Sequence, residues 1–412
     1  MNELFKINIA LFLFTTFNRE LSIFGFDPRY LSVTISIVTI VALLLKKWTN
    51  QRSKRLTRNG FEKDVTEQKH FSQLDTFLFY VFVFISNISW AWNGLSPDED
   101  ILRNLVILNG SNALFAISFI LGSRYISKQF VVKNIIFSLC VLYASMLWVY
   151  IGMEIPPFLH NVDTKVASVG EGYTNFFGVD VRSAGFAEDA NIASLFAVTG
   201  IFIGFDVMPK GAKRNVFIVL SGICYALAFS RTILVGFAVV VLACLLRAIV
   251  LKSWKTIAWC VVLGIAFCAF IIIPLIDFSD YSMALRLTMW DCAERVFIEN
   301  PIFGGGISSV RASMDALYGD WYVQCHSTWW QIIGEHGIIA AIIYIVMSGR
   351  RLAACSRWPE VMVYVQMLML SVNYETVFQQ FFILFYVLFP LILFNHSANT
   401  SEAHSKRCLK CV

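Results

Sequence analysis

Arg231 lies in Phe229-Ser230-Arg231-Thr232, between the apolar stretches Val216 to Ala228 and Ile233 to Leu246. A guanidinium stays charged at physiological pH. A place between two apolar runs is therefore costly unless an anion or water meets it. No acidic residue stands within a helical turn of it. A guanidinium with no carboxylate nearby in sequence is available to fork onto two phosphate oxygens. The competing reading is a side chain that snorkels to the membrane interface.

A second stretch begins at Leu285-Arg286-Leu287-Thr288-Met289-Trp290. Leu285, Met289, Ala293, Val296 and Phe297 recur at helical spacing, which predicts a short amphipathic helix lying along the outer membrane surface. Asn300-Pro301 should end it, and Gly304-Gly305-Gly306 should follow as a flexible turn. Three glycines alone are not a phosphate loop, because no Lys-Ser/Thr pair follows them. Arg286 is either a second phosphate ligand or a solvated charge of that helix. Arg295 and Arg311 read as solvated charges.

His326 stands where a polar stretch meets an apolar one, followed by Ser327-Thr328-Trp329-Trp330-Gln331. Histidine is the side-chain type that changes charge near neutral pH, so within reach of water it suits a general base. The alternative is an interfacial histidine with no such task. Glu335 lies further into the same run, about 13 Å along a helix. A carboxylate at that depth needs a cavity or a partner, and a polar group of another span is the expected one. Arg182 adds a further cation, seven residues before Asp189, which is placed to cap a helix. Glu375, beside Asn373 and Tyr374, either orients an acceptor hydroxyl or ends a helix. His160, His326 and His336 lack zinc spacing and no paired acidic motif is present, so neither metal nor cofactor is expected.

These residues must be held by membrane helices. The chain is 57% hydrophobic and 15% charged, more apolar than a soluble domain needs, and its long apolar windows predict an all-α polytopic membrane protein. The short alternating segments of a transmembrane barrel are absent. Spans are expected at about 7–24, 31–45, 76–93, 102–121, 134–153, 190–207, 215–229, 232–246, 256–276, 327–348, 359–373 and 378–394, about twelve helices in one integral domain over 1–412. Segments 1–6, 46–74, 122–133, 208–214, 247–255, 349–358 and 395–412 hold 24 of the 33 Lys and Arg residues. Basic loops stay in the cytoplasm, so both termini and the tail 395–412 fall inside. Arg231 and the two long loops, 154–189 and 277–326, then fall outside. The net charge of +5 is spent on this asymmetry and does not signal nucleic acid. Cys140, Cys224, Cys244, Cys260 and Cys268 sit in apolar runs and behave as small hydrophobes. Cys292 and Cys325, on the outer side, are candidates for a disulfide. No internal repeat or inverted pair of broken helices points to a transporter, the main competing class.

An outer site with two or three arginines and one histidine suits a lipid-linked diphosphate donor. The arginines would stabilise the leaving diphosphate where many glycosyltransferases use a metal ion, and His326 would take the proton of an incoming sugar hydroxyl.

At these residues the chain resembles the bacterial O-antigen polymerase and O-antigen ligase family. The resemblance rests on Ser230-Arg231-Thr232, on Arg286 through Trp290 before Asn300-Pro301-Ile302-Phe303-Gly304-Gly305-Gly306, and on His326 followed by Glu335-His336-Gly337-Ile338. Arg182 with Gly185 and Asn191 is similar to the family's earlier outer loop. The chain has Ser327 where Asn is common and Ala340 where a second Gly is common. The resemblance implies a lipid-dependent (GT-C-like) glycosyltransferase architecture with a periplasmic active site in the bacterial inner membrane. It implies metal-independent transfer from undecaprenyl diphosphate, with Arg231 and Arg286 as diphosphate ligands and His326 as base. The acceptor is either another lipid-linked glycan, for a polymerase, or the lipid A-core, for a ligase. A chain-length regulator is a further expected partner.

Overall fold

The computed structural model describes residues 2–24, 26–56, 73–88, 99–123, 126–151, 153, 155–159, 183–187, 189–228, 230, 236, 281–319, 325–355, 358–374 and 380–393. Among them every regular element is helical. The elements are α1 (Asn2–Phe17), α2 (Pro28–Leu56), α3 (Gln73–Ile88), α4 (Glu99–Gly122), α5 (Lys128–Tyr150), α6 (Ala190–Val207), α7 (Ala212–Ala228), α8 (Tyr281–Glu299), α9 (Ser309–Tyr318), α10 (Thr328–Ala354), α11 (Trp358–Asn373) and α12, which starts as Gln380–Ile383. Three of them contain π-helical turns: Ile203–Val207 ends α6, Ile332–His336 interrupts α10, and Leu384–Leu393 continues α12. In α12 the turn contains Pro390, which cannot donate a backbone bond and disfavours a regular helix there.

Helix starts follow local chemistry. Ser127 accepts from Phe130 N, Asp189 from Asn191 N and Ser327 from Trp330 N, so α5, α6 and α10 each begin on a side-chain cap. Pro28 opens α2, where its missing N–H costs nothing. The Asp189 cap is the one the sequence predicts. Among the described residues, α5, α6, α10 and the stretch Pro28–Lys46 are each long and apolar enough to cross a membrane. The chain is a multi-pass membrane protein.

One aromatic-rich core joins the bundle. Phe17 packs edge-on against Phe196 with ring centres 4.6 Å apart, and Phe382 meets Tyr386 at 4.4 Å. A smaller cluster, formed by Met289, Cys292, Ala293, Val296, Val310, Met314 and Cys325, lies between α8, α9 and the approach to α10.

The contacts sort the helix ends onto two faces. On one, Glu20 N donates to Phe186 O, Ser183 N to Leu227 O and Thr328 N to Tyr374 O, while Thr15 meets Gln380. This gathers the ends of α1, α7 and α11 and the starts of α6, α10 and α12. At the far end of α10, Arg350 and Arg351 reach Asp75 at the start of α3, at 2.7 and 3.2 Å. Asp75, which follows the basic stretch expected at 46–74, and Arg350 and Arg351 of the stretch expected at 349–358 therefore share one face.

Two expectations are corrected. The first helix ends at Phe17, not near 24. Residues 18–24 instead form a turn in which Ser22 N and Phe24 N donate to Leu159 O and Phe158 O. Its apolar side chains read as a span in sequence, yet they cover a neighbouring loop, with Phe24 stacked on Phe158. Helix α9 was not expected at all. The spans expected at 232–246 and 256–276 lie outside the described residues, apart from Gly236, as do most of loop 154–189 and the tail.

Candidate functional site

Helix α8 carries Arg286 and forms over the stretch where the amphipathic pattern predicts it, with Met289, Cys292 and Ala293 fully buried. Its apolar face packs on the π-helical turn of α10 and on α9, so α8 is attached to the bundle rather than only resting on a bilayer surface. Asn300-Pro301 ends it, as expected.

The glycine turn that follows is not flexible. A π-helical turn shifts the backbone pairing of α10, and the carbonyls of Gly334 and Glu335 accept N–H bonds from Gly305 and Gly306, at 2.8 and 2.9 Å. Ile338 N returns a bond to Pro301 O at 2.9 Å. The fit requires glycine on both sides. Gly304 has φ +71° and Gly337 φ +74°, a region costly for other L residues. A Cβ on Gly304 would meet the backbone of Glu335 and His336, and one on Gly337 would meet Ile302 O and Gly304 N. Gly337→Ala is accordingly expected to loosen this docking and to lower the thermal unfolding midpoint by a few degrees, from about 1–2 kcal/mol of backbone strain and a displaced turn. A variant that unfolds at the wild-type temperature would make glycine dispensable here.

His326 sits directly before the Ser327 cap, partly buried, in a left-handed conformation with φ +49°. Such a backbone is uncommon outside glycine and persists where the surroundings impose it. Here the flanking residues do so. Thr328 donates through its hydroxyl and its N–H to Tyr374 O, at 2.7 and 3.1 Å, and the Tyr374 ring lies 6.5 Å from the imidazole. Glu375 follows Tyr374 in the chain and lies outside the described residues.

Two contacts bring α8 to His326. The Cys325 thiol points to Met289 O at 4.0 Å, and Trp290 stacks on Trp330 with ring centres 6.4 Å apart. Arg286 is one turn before Trp290, and His326 is one turn before Trp330. Both residues stand out in the sequence, but their positions 40 residues apart do not by themselves join them. The paired tryptophans, each four residues after its partner, were the available signal.

Other expectations shift. Glu335 is buried and accepts from Gln331 Nε2 at 3.2 Å. This partner lies on its own helix, at the i,i+4 spacing that could have predicted it. Arg295 pairs with Asp291 at 2.8 Å in the open, as a solvated charge should. Arg311 does not fit that description, because its side chain is 16% exposed and 4.0 Å from Asp315. Cys292 and Cys325 share the small cluster with no disulfide between them. Burial first, and Asp291 second, push the Cys292 thiol above its ordinary pKa, which keeps it protonated and slows disulfide exchange.

Arg182 and Arg231 lie outside the described residues. Their neighbours are placed. Ser183 donates through its hydroxyl to Met146 O at 2.7 Å, and Ser230 donates to Asn191 Oδ1 at 2.7 Å, one residue inside the start of α6. Both anchors are on the face where α10 starts.

No curated protein shows a match to the chain. Residues 216–345, less than half of the chain, match the family model described as O-antigen ligase, a stretch that includes Arg231, Arg286, His326 and Gly337, and the match supports a likeness to the O-antigen polymerase and ligase family.

Proposed function

We propose that the protein is a metal-independent glycosyltransferase that moves a glycan from undecaprenyl diphosphate to a sugar hydroxyl during surface-polysaccharide assembly. The observation that carries this reading is the joining of Met289 and Trp290 to Cys325 and Trp330, which brings a helix bearing Arg286 beside His326. Arg231 and Arg286, with Arg182, hold the diphosphate. The acceptor oxygen attacks the anomeric carbon, the bond from that carbon to the phosphate oxygen breaks, and the electron pair leaves on the lipid diphosphate. His326 takes the hydroxyl proton. The guanidiniums stabilise charge that grows as the bond breaks, which lowers the barrier more than equal binding of the ground state would. Glu335 and Glu375 support the site.

The Lys and Arg bias puts this face in the periplasm of a cell whose inner membrane holds the chain, with both termini in the cytoplasm. The acceptor is a second lipid-linked repeat chain, which makes the protein a polymerase; a chain-length regulator is a fitting partner. The description of the matching family favours a second reading, a ligase whose acceptor is the lipid A-core. The lipopolysaccharide profile of a deletion strain on a gel separates the two. Core capped by single repeats is expected for a lost polymerase. Bare core with accumulated lipid-linked polymer identifies a ligase, and an unchanged profile refutes both.

A further inference from the structure

Among the described residues of α8, two buried side-chain nitrogens have no hydrogen-bond partner: Nε of Arg286 and Nε1 of Trp290. A buried N–H without an acceptor is costly, and a seated ligand can supply one. Two of them at i and i+4 lie on one face of a helix, a single turn apart. They form a matched pair of donors at the end of the helix that faces His326. An acceptor with more than one oxygen, seated against this face, satisfies both.

The indole is held for such a task. Its ring stacks on Trp330, one turn beyond His326, and it borders the cluster that contains Cys325. An indole is a neutral, donor-only group with two rotatable bonds, so its N–H is presented in a fixed direction. Beside a guanidinium it complements an anion without adding charge. We propose that Trp290 is a second binding residue for the lipid-linked donor, its Nε1–H bonded to a diphosphate oxygen next to the one that Arg286 holds. The inference rests on the function proposed above and extends it, since it gives the leaving group a directional donor as well as a charge.

The test compares Trp290→Phe, Trp330→Phe and Arg286→Ala in the full chain, reconstituted in phosphatidylglycerol nanodiscs. Trp290→Phe keeps an aromatic ring for the stack and removes the N–H. Trp330→Phe alters the stack and leaves the donor. Binding of undecaprenyl diphosphate is measured against undecaprenyl monophosphate as the competing phosphate source, together with thermal unfolding. Trp290→Phe is expected to weaken binding of the diphosphate about tenfold, the effect of losing one hydrogen bond to a charged group. Trp330→Phe should change it less than threefold, and both variants should unfold within a few degrees of the wild type. Three results overturn the proposal. Trp290→Phe could bind as tightly as the wild type while Arg286→Ala loses binding, which leaves the proposed function standing. Both tryptophan variants could lose binding equally, or unfold early, which makes the pair structural. The monophosphate or the bulk phosphatidylglycerol could compete as well as the diphosphate, which makes the acceptor an ordinary lipid phosphate. Failure of the wild-type protein to bind the diphosphate at all counts instead against the function itself.

Discussion

Replacing His326 by alanine is expected to abolish glycan transfer, with a loss of at least about a hundredfold, while the protein stays folded in the membrane. A positioned general base contributes typically 10²–10⁴ in rate, and no described neighbour can replace it. Thr328 spends its hydroxyl on Tyr374 O and Ser327 caps α10. Stability should change little, because the cap belongs to Ser327 and the imidazole is only partly buried. The left-handed backbone at His326 complicates this variant, since alanine there carries strain of its own. His326→Gly separates the two effects. Glycine relieves the backbone and still lacks the imidazole, so it should be as inactive as alanine. The readout is the polysaccharide profile of a deletion strain that expresses each variant, with membrane levels of the protein measured alongside. A normal profile from either variant would remove His326 as the base.

Much of the bundle was legible in sequence because a span announces itself by length and apolarity, whatever its neighbours do. The expected limits 190–207 and 359–373 coincide with α6 and nearly with α11. Hydropathy failed where apolar residues serve something other than a span. Leu21, Ile23 and Phe24 fall within the expected first span, but in the structure they belong to a turn over residues 158–159. It also failed where the backbone alone carries the information. A π-helical turn inserts one residue without changing the side-chain composition, so nothing in Ile332-Ile333-Gly334-Glu335-His336 reveals that two carbonyls are turned out. The glycines that meet them look like a loose loop for the same reason: their bonds are made by N–H groups common to every residue. The docking of Gly304-Gly305-Gly306 on α10 is what fixes α8, and with it Arg286, relative to the bundle. The residue types at the site were readable from chemistry, but their assembly depended on backbone pairing and on the Trp290–Trp330 stack.

Arg231→Lys is expected to lose most of its transfer activity, and Arg231→Ala nearly all of it, with a drop of about a hundredfold or more for alanine. Ser230 is fixed to Asn191 at the start of α6, and Asn191 is in turn tied to Asp189, so the chain enters position 231 from a rigid point. A guanidinium delivered from such a point can use its fork on two phosphate oxygens, where lysine offers a single compact charge on a flexible stem. The competing account is that Arg231 snorkels to the interface. Lysine snorkels as well as arginine does, so on that account Arg231→Lys should transfer glycan at the wild-type rate and only the alanine variant should suffer. The lysine variant, assayed for transfer at equal protein in the membrane, therefore separates the two accounts. A fully active Arg231→Lys leaves Arg286 and Trp290 to hold the diphosphate without it. A strong loss means that the geometry of the fork, and not merely a positive charge at the membrane surface, is what the leaving group requires.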